Sequence, residues 1–417
     1  PGEPVLCGEI QGKADNPPLY NAQSSTMLRA HAELAQPLIL QSCTGKRCIH
    51  QHNVSYVDDN DSMTSADHQP DFDLADREAV AKIMRNSALW TELANLTGQI
   101  IACHKTTWQK LTRKVIERQL EIITATDETM LLRDHKGAAS VIQFLPPNKP
   151  NKGLGFHLCP DGNQGPEYEY VMKSLTDVAT ACSAAFLRPS EARQALFQRL
   201  IPKVGYSLNL TSFTSKECTA LTKVIRRHFL PSLGFNRNTP SAVVHGPMDL
   251  GGLELVDIES LQDELQVTNL LKQLRWDQSV ANALLVTIDN LQLSSGLTTP
   301  ILEDTEIDIR YLDKGFITSL QERLRDIGGS IWIEKAWTPS LQRINDESIM
   351  ERFSFGMTDD GRRKKKRLRS RITLPLLKRL NAVRLYLRVI TSQILQMYRV
   401  NSSPQRSYQG TSGPSQL

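Results

Sequence analysis

The chain has 417 residues, of which 40% are hydrophobic and 23% charged. That is enough for two or three domains of about 150 residues, each with a buried core. Apolar runs such as residues 178–187 fall far short of the roughly 20 residues that span a bilayer, so a membrane-spanning chain is excluded. The seven cysteines are scattered without a Cys-x-x-Cys, which argues against a disulfide scaffold or a zinc ribbon.

The net charge of +4 hides a strong asymmetry: residues 1–80 carry a net −7, and residues 361–417 carry 14 Lys or Arg and no acid. An acidic N-terminal part suits a metal site, and a basic C-terminal arm suits a polyanion. The chain opens on Pro1 with no leader-like stretch, as expected of a processed product or a missing start.

In chain order, Met27, Leu28, Leu34 and Leu38 recur at helical spacing and predict a helix over 19–40. Residues 47–64 predict a hairpin, with Val54 and Val57 in strands and Asn60-Asp61 as turn. Asp73 can cap a helix running to about Thr97, with Gly98 as its stop and a short strand at 100–103. Strands are expected at 121–124, 140–144 and 155–158, separated by Pro146-Pro147 and Pro160-Asp161-Gly162 turns. Beyond Pro166 the pattern is helical. One helix runs to about 187, one from Pro189 ends before Pro202, and one opens on the capping box Thr214-x-x-Glu217 and runs to 230. A Gly/Asn/Pro-rich loop over 234–252 comes next, then a helix over 258–276 and further helices to about 397. The Ser/Gly/Gln/Pro tail 401–417 reads as disordered. The fold class expected is α+β, a small antiparallel sheet with packed helices followed by a mainly helical region.

The sharpest local signal is Tyr56-Val57-Asp58-Asp59, two adjacent carboxylates at a tight turn after an apolar strand. Mg²⁺ takes oxygen ligands and leaves positions open for phosphates, and two such ions can clamp both oxygens of a phosphoryl transfer. Taken alone, Asp-Asp in a loop is usually a solvated turn.

Upstream stands Gln11-Gly12-Lys13-Ala14-Asp15-Asn16-Pro17-Pro18, and downstream Trp90, Gly98 and Lys105 come in order. Together these pieces resemble the palm of reverse transcriptases, most closely those of non-LTR (LINE-like) retroelements. This chain has Asn16 where Ser is usual and Gln99 where a second Gly is common. Further segments resemble the region C-terminal to that palm: 154–158 with Pro160-Asp161-Gly162, 200–206, 229–237, and Gly246-Pro247 with Gly251-Gly252-Leu253. The likeness covers about residues 8–277.

The resemblance implies an RNA-directed DNA polymerase, a nucleotidyltransferase of retrotransposon type. Its partners would be an RNA template, a DNA primer and deoxynucleoside triphosphates, and its cofactor two Mg²⁺ ions. Asp58 would be the main metal ligand and Asp59 the supporting carboxylate. Gln11 and Gly12, with Tyr56, would line the template and nucleotide, where glycine lets the backbone approach closely. Lys105 would neutralise or protonate the pyrophosphate leaving group; from spacing alone it is an exposed lysine. The location implied is nuclear or cytoplasmic, not secreted.

The organisation expected is a partial palm over 1–112, a strand-rich connection over 113–165, a thumb-like helical region over 166–277, and a C-terminal helical region over 278–400. In the family a third carboxylate, many tens of residues before the Gln-Gly segment, shares both metals. Here Glu3 and Glu9 do not sit in a matching strand, and no fingers segment is present. The chain is therefore expected to be a C-terminal fragment, silent on its own, and the alternative is a non-catalytic nucleic-acid-binding remnant of a retroelement.

Three clusters complete the reading. Lys216, Lys223, Arg226 and Arg227 fall mostly on one face of the helix over 215–230, suited to phosphates without sequence preference or simply to solvent. Arg362, Arg363, Lys364, Lys365, Lys366 and Arg367 begin a run, 362–371, in which eight of ten residues are basic. Such a run is expected to be exposed, to bind nucleic acid nonspecifically and to serve as a nuclear localisation signal. Cys43 and Cys48 have a spacing found in zinc sites, but His50 and His52 stand too close for a helical zinc finger.

Overall fold

The computed structural model describes residues 16–56, 59–66, 71–99, 101–116, 119–133, 137–153, 155–276, 278–334, 336–340 and 348. The basic run 362–371, the tail 401–417, Gln11, Gly12 and Asp58 lie outside the described residues.

The described chain is mixed α+β, with short and mostly antiparallel sheets among packed helices. Helix α1 (Asn16–Leu34) ends before the point that apolar spacing suggests. Pro37 disfavours helical backbone at the residue before it, and Leu38–Gln41 becomes strand β1 instead. Strand β1 pairs antiparallel with β2 (Cys48–Gln51). The expected hairpin is therefore two hairpins, because β3 (Asn53–Tyr56) pairs separately with β4 (Asp59–Ser62). The turn falls between Tyr56 and Asp59, and Asn60-Asp61 is inside β4.

Helix α2 (Phe72–Leu96) is capped by Asp71, two residues before the expected cap; its carboxylate accepts from the backbone N–H of Asp73 and Leu74 at 2.9 and 3.3 Å. Gly98 comes just past the helix with φ +75°, a left-handed conformation that glycine adopts without strain. No strand forms at 101–103, where the chain turns; β5 is Thr107–Trp108. Strands β6 (Thr112–Ile116) and β7 (Gln119–Ile123) form a hairpin. Strands β8 (Met130–Arg133) and β9 (Ala139–Phe144) pair antiparallel, and β5 lies parallel along β9. The inward residues Met130, Leu132 and Ile142 pack with Trp108 and with Val80 of α2. A last hairpin, β10 (Asn151–Gly153) with β11 (Phe156–Leu158), precedes the helices.

The helical half has two cores. Helices α3 (Gly165–Ala184), α4 (Pro189–Ala195), α5 (Ile201–Leu208), α6 (Ser215–Ser232), α7 (Ser241–His245) and the start of α8 (Ile258–Trp276) enclose Leu175, Leu196, Leu208, Leu221 and Phe229. The rest of α8, with α9 (Gln278–Ser295) and α10 (Phe316–Asp326), encloses Leu270, Leu284, Ile309 and Leu320.

Pro202 does not stop the chain as expected. A π-turn over Leu196–Leu200 joins α4 to α5, with the Ile201 N–H reaching Leu196 O. The wider turn takes up the hydrogen-bonding mismatch that a proline without an N–H creates. The Thr214–Glu217 capping box forms as expected, the Thr214 N–H donating to Glu217 Oε2 at 2.7 Å. Gly246 and Gly252 approach backbone to backbone: a Cβ on Gly252 would collide with Gly246 O, so only glycine fits there.

Candidate functional site

Strands β3 and β4 place Tyr56 directly opposite Asp59 in the ladder, with Asn53 opposite Ser62. The Tyr-x-Asp-Asp segment therefore closes a hairpin whose connection is two residues long. Asn60 Oδ1 is buried with no hydrogen-bond partner among the described residues. The exposed Asp61 faces the neighbouring hairpin, its Oδ2 3.8 Å from where a Cβ on Gly153 of β10 would stand.

A chain of hydrogen bonds fixes this hairpin to both flanking helices. His31 of α1, fully buried, has Nε2 3.0 Å from Asn86 O of α2 and Nδ1 2.8 Å from Asn53 Nδ2. A carbonyl can only accept, so Nε2 carries the proton and Nδ1 accepts, which is the neutral tautomer. Burial holds the His31 pKa below its ordinary value. Asn53 Oδ1 accepts in turn from Ser62 Oγ at 2.6 Å, crossing the hairpin. The Asn86 carboxamide clamps the backbone of Gln36, accepting from its N–H at 2.9 Å and donating to its carbonyl at 2.7 Å. Trp90 meets the His31 ring edge-on at 5.4 Å. Sequence reasoning does not single out His31, Asn53 or Asn86. The signal available is a histidine one turn after Met27 on the apolar face of α1.

Lys105 lies exposed in the turn between α2 and β5. The β1–β2 hairpin packs Leu38 and Leu40 against Ala283 and Val286 of α9. There Arg47 bonds the buried Asp289 at 2.6 Å. Burial raises the Asp289 pKa, and Arg47 opposes that rise. Cys43 donates to Asp289 O at 3.3 Å, and burial together with the Asp289 charge pushes its thiol up to about 12. Cys48 and His50 are exposed on β2. Among the described residues, no group of three or more His, Cys, Asp or Glu is placed to hold a metal ion.

On α6, the four predicted basic residues divide. Lys216, Lys223 and Arg227 are exposed along one stripe. Arg226 is turned into the structure, where its guanidinium donates to Ser241 Oγ at 2.7 Å and to Thr239 O at 2.6 Å and pins the loop before α7. Helical spacing groups all four, because it cannot see which cation finds partners in a loop that folds back.

At the entrance to α3 stands a buried carboxylate that sequence reasoning also misses. Glu167 accepts from the His157 N–H at 2.8 Å, from His157 Nδ1 at 2.9 Å and from Ser207 Oγ at 2.5 Å. It locks β11, α3 and α5 together.

Among the described residues, no helix is long and apolar enough to cross a membrane. No protein-family model matches the chain, and neither a curated protein nor a solved structure does.

Proposed function

We propose that the chain is part of an RNA-directed DNA polymerase of non-LTR retroelement type, with β3–β4 as the carboxylate hairpin of a palm and α6 as a helix that tracks the template–primer backbone. The observation that carries this reading is the pairing of Tyr56 with Asp59, which makes the Tyr-x-Asp-Asp segment a two-residue hairpin. The His31–Asn53 link supports it, because it holds that hairpin rigidly between two helices, as a site for positioned phosphates requires.

The donor chemistry fits Mg²⁺. Asp58 and Asp59 supply hard oxygens, and the unpartnered Oδ1 of Asn60 is one residue away. When bound, the ions would offset the charge that develops on the attacking oxygen of the primer 3′-hydroxyl and on the leaving pyrophosphate oxygen of the deoxynucleoside triphosphate. Gln11 and Gly12 would line the template and incoming nucleotide beside Tyr56, and Lys105 would deliver a proton to the pyrophosphate. Lys216, Lys223 and Arg227 would hold successive phosphates. The chain would work in the nucleus or cytoplasm.

The alternative reading, a non-catalytic nucleic-acid-binding protein derived from such an element, is favoured by the exposed stripe on α6, which needs no metal to hold phosphates.

RNA-templated primer extension with Mg²⁺ separates the two. Residues 1–417 alone are expected to be silent. The same residues fused behind a fingers segment and first palm strand of a retroelement enzyme are expected to extend, with Asp58→Ala abolishing extension. A fusion that stays active with Asp58→Ala removes the hairpin from the metal site, and a silent fusion that still binds template–primer supports the non-catalytic reading.

A further inference from the structure

Helices α3 and α6 run side by side in the same direction. At their beginnings Tyr168 meets Phe213, just before α6, with ring centroids 5.5 Å apart. At their ends Ser183 Oγ lies 3.1 Å from His228 Nδ1. The segments leaving both helices therefore emerge at one end of the pair, and each exposes an aromatic ring.

Phe186, two residues past the end of α3, is 93% exposed and has φ +49°. A left-handed backbone is unfavourable at a bulky residue, and a fully solvated phenyl ring returns nothing to folding. Phe235 is 41% exposed beyond α6. A Schellman closure sets it there: Gly234 has φ +85° and donates to Pro231 O at 3.0 Å, and the Phe235 N–H donates to Leu230 O at 2.8 Å.

The charge at this end is predominantly basic, with Glu191, which accepts from the Arg188 N–H at 2.9 Å, as the neighbouring acid. Residues 178–190 and 218–248 contain no Asp or Glu, whereas Arg188, Lys223, Arg227 and Arg237 are exposed. The His228 pKa is lowered, first by burial and then by the charges of Arg227 and Arg237. Cations at helix C-termini complement the helix dipole, but that accounts for neither solvated ring nor for the strained backbone of Phe186.

We propose that this end of the α3–α6 pair is a platform for a single strand of nucleic acid, with a base stacked on Phe186 and the flanking phosphates held by Arg227 and Arg237. Exposed rings beside exposed arginines suit unpaired bases, whose faces are open, and not a duplex, whose faces are stacked internally. The inference rests on reading α6 as a nucleic-acid-facing helix and specifies the form of the ligand. It uses no hairpin residue, so a silent primer-extension assay does not bear on it.

The test titrates the full chain against fluorescein-labelled 12-nucleotide strands of RNA and of DNA and against a duplex of the same length. Photocrosslinking of strands carrying 5-iodouracil then maps the contact. Crosslinks are expected on the peptide that contains Phe186. Phe186→Ala is expected to weaken single-strand binding about tenfold with little change for the duplex, the size expected for one lost stack. Phe186→Gly should weaken binding equally while relieving the backbone, so that a lost stack is told apart from a damaged fold. A Phe186-dependent preference for either RNA or DNA single strands sustains the proposal and identifies the source. Unchanged affinity in Phe186→Ala with both strands, an equal loss for the duplex, or crosslinks confined to other parts of the chain would overturn it.

Discussion

His31 Nδ1 accepts a hydrogen bond from Asn53 Nδ2 at 2.8 Å, and through that bond α1 holds the first residue of the strand that leads to Tyr56. Asn53→Ala removes the donor and also strands Ser62, whose hydroxyl donates to Asn53 Oδ1. His31 is fully buried and Ser62 half-buried, and unsatisfied groups of this kind cost up to about 1–3 kcal/mol each. Asn53→Ala is therefore expected to lower the midpoint of urea unfolding by a corresponding amount, with the slope unchanged. An unshifted midpoint would mean that the hairpin is held by its ladder alone.

The same histidine predicts acid sensitivity. Its folded pKa is depressed below 6.5 by burial, so the folded state binds fewer protons than the unfolded chain. The stability it contributes is complete above about pH 6.5 and is lost as pH falls through the depressed folded value. His52 is depressed in the same direction by burial and by the neighbouring His31 and His50. Unfolding free energy is expected to fall as the pH drops below about 6.5, and His31→Gln, which can still donate and accept, should flatten part of that fall. An identical pH profile in the variant would assign the loss to other groups.

The division of the α6 cations gives a third expectation. Arg226→Ala loses two hydrogen bonds that hold the 236–240 loop and should cost about 1–3 kcal/mol of stability, with little change in the salt dependence of RNA binding. Lys223→Ala with Arg227→Ala should leave stability within about 0.5 kcal/mol and lower the salt slope by about 2, one per lost phosphate contact. Thermal melts and titrations at several salt concentrations read both effects.

The basic run obeys the same logic. Neutralising Arg362, Arg363, Lys364, Lys365, Lys366 and Arg367 is expected to flatten the fall of nucleic-acid affinity with salt. An unchanged slope would assign all phosphate contacts to other residues.

Local chemistry decides the features that are legible in the sequence. The Thr214–Glu217 box, the Gly98 stop and the bounds of α8 need only side chains within a turn of one another. A hairpin around Tyr56 to Asp59 is legible too, but its turn lies three residues before the expected one, because the ladder overrides the turn chemistry of Asn60-Asp61. The partner of β5 is not legible, since that pairing depends on distant residues: Trp108 lines up with Phe144, 36 positions on. Nor is the link from His31 to Asn86, which joins side chain and carbonyl across 55 residues.

Glu167 tests whether such long-range polar links carry stability here. The carboxylate is fully buried, and three donors converge on it from β11 and α5. Its place in the first turn of α3 sets it at the positive end of the helix dipole. Glu167→Gln keeps the shape but turns an amide N–H₂ toward one of those donors, so the loss is expected to be about 2–3 kcal/mol. Glu167→Leu leaves all three donors without an acceptor and should cost about 3–5 kcal/mol. Ser207→Ala removes a single donor and should cost about 1 kcal/mol. Because Ser207 acts through the carboxylate, its effect should shrink in the Glu167→Gln background, giving a coupling energy of about 1 kcal/mol in a double-mutant cycle. Chemical denaturation of the wild type and these variants at about pH 7.5, where an ordinary carboxylate is ionised, measures each of these values. A neutral Glu167→Gln would show that the three hydrogen bonds do not depend on a carboxylate acceptor, and strict additivity with Ser207→Ala would show that the two residues stabilise the chain independently.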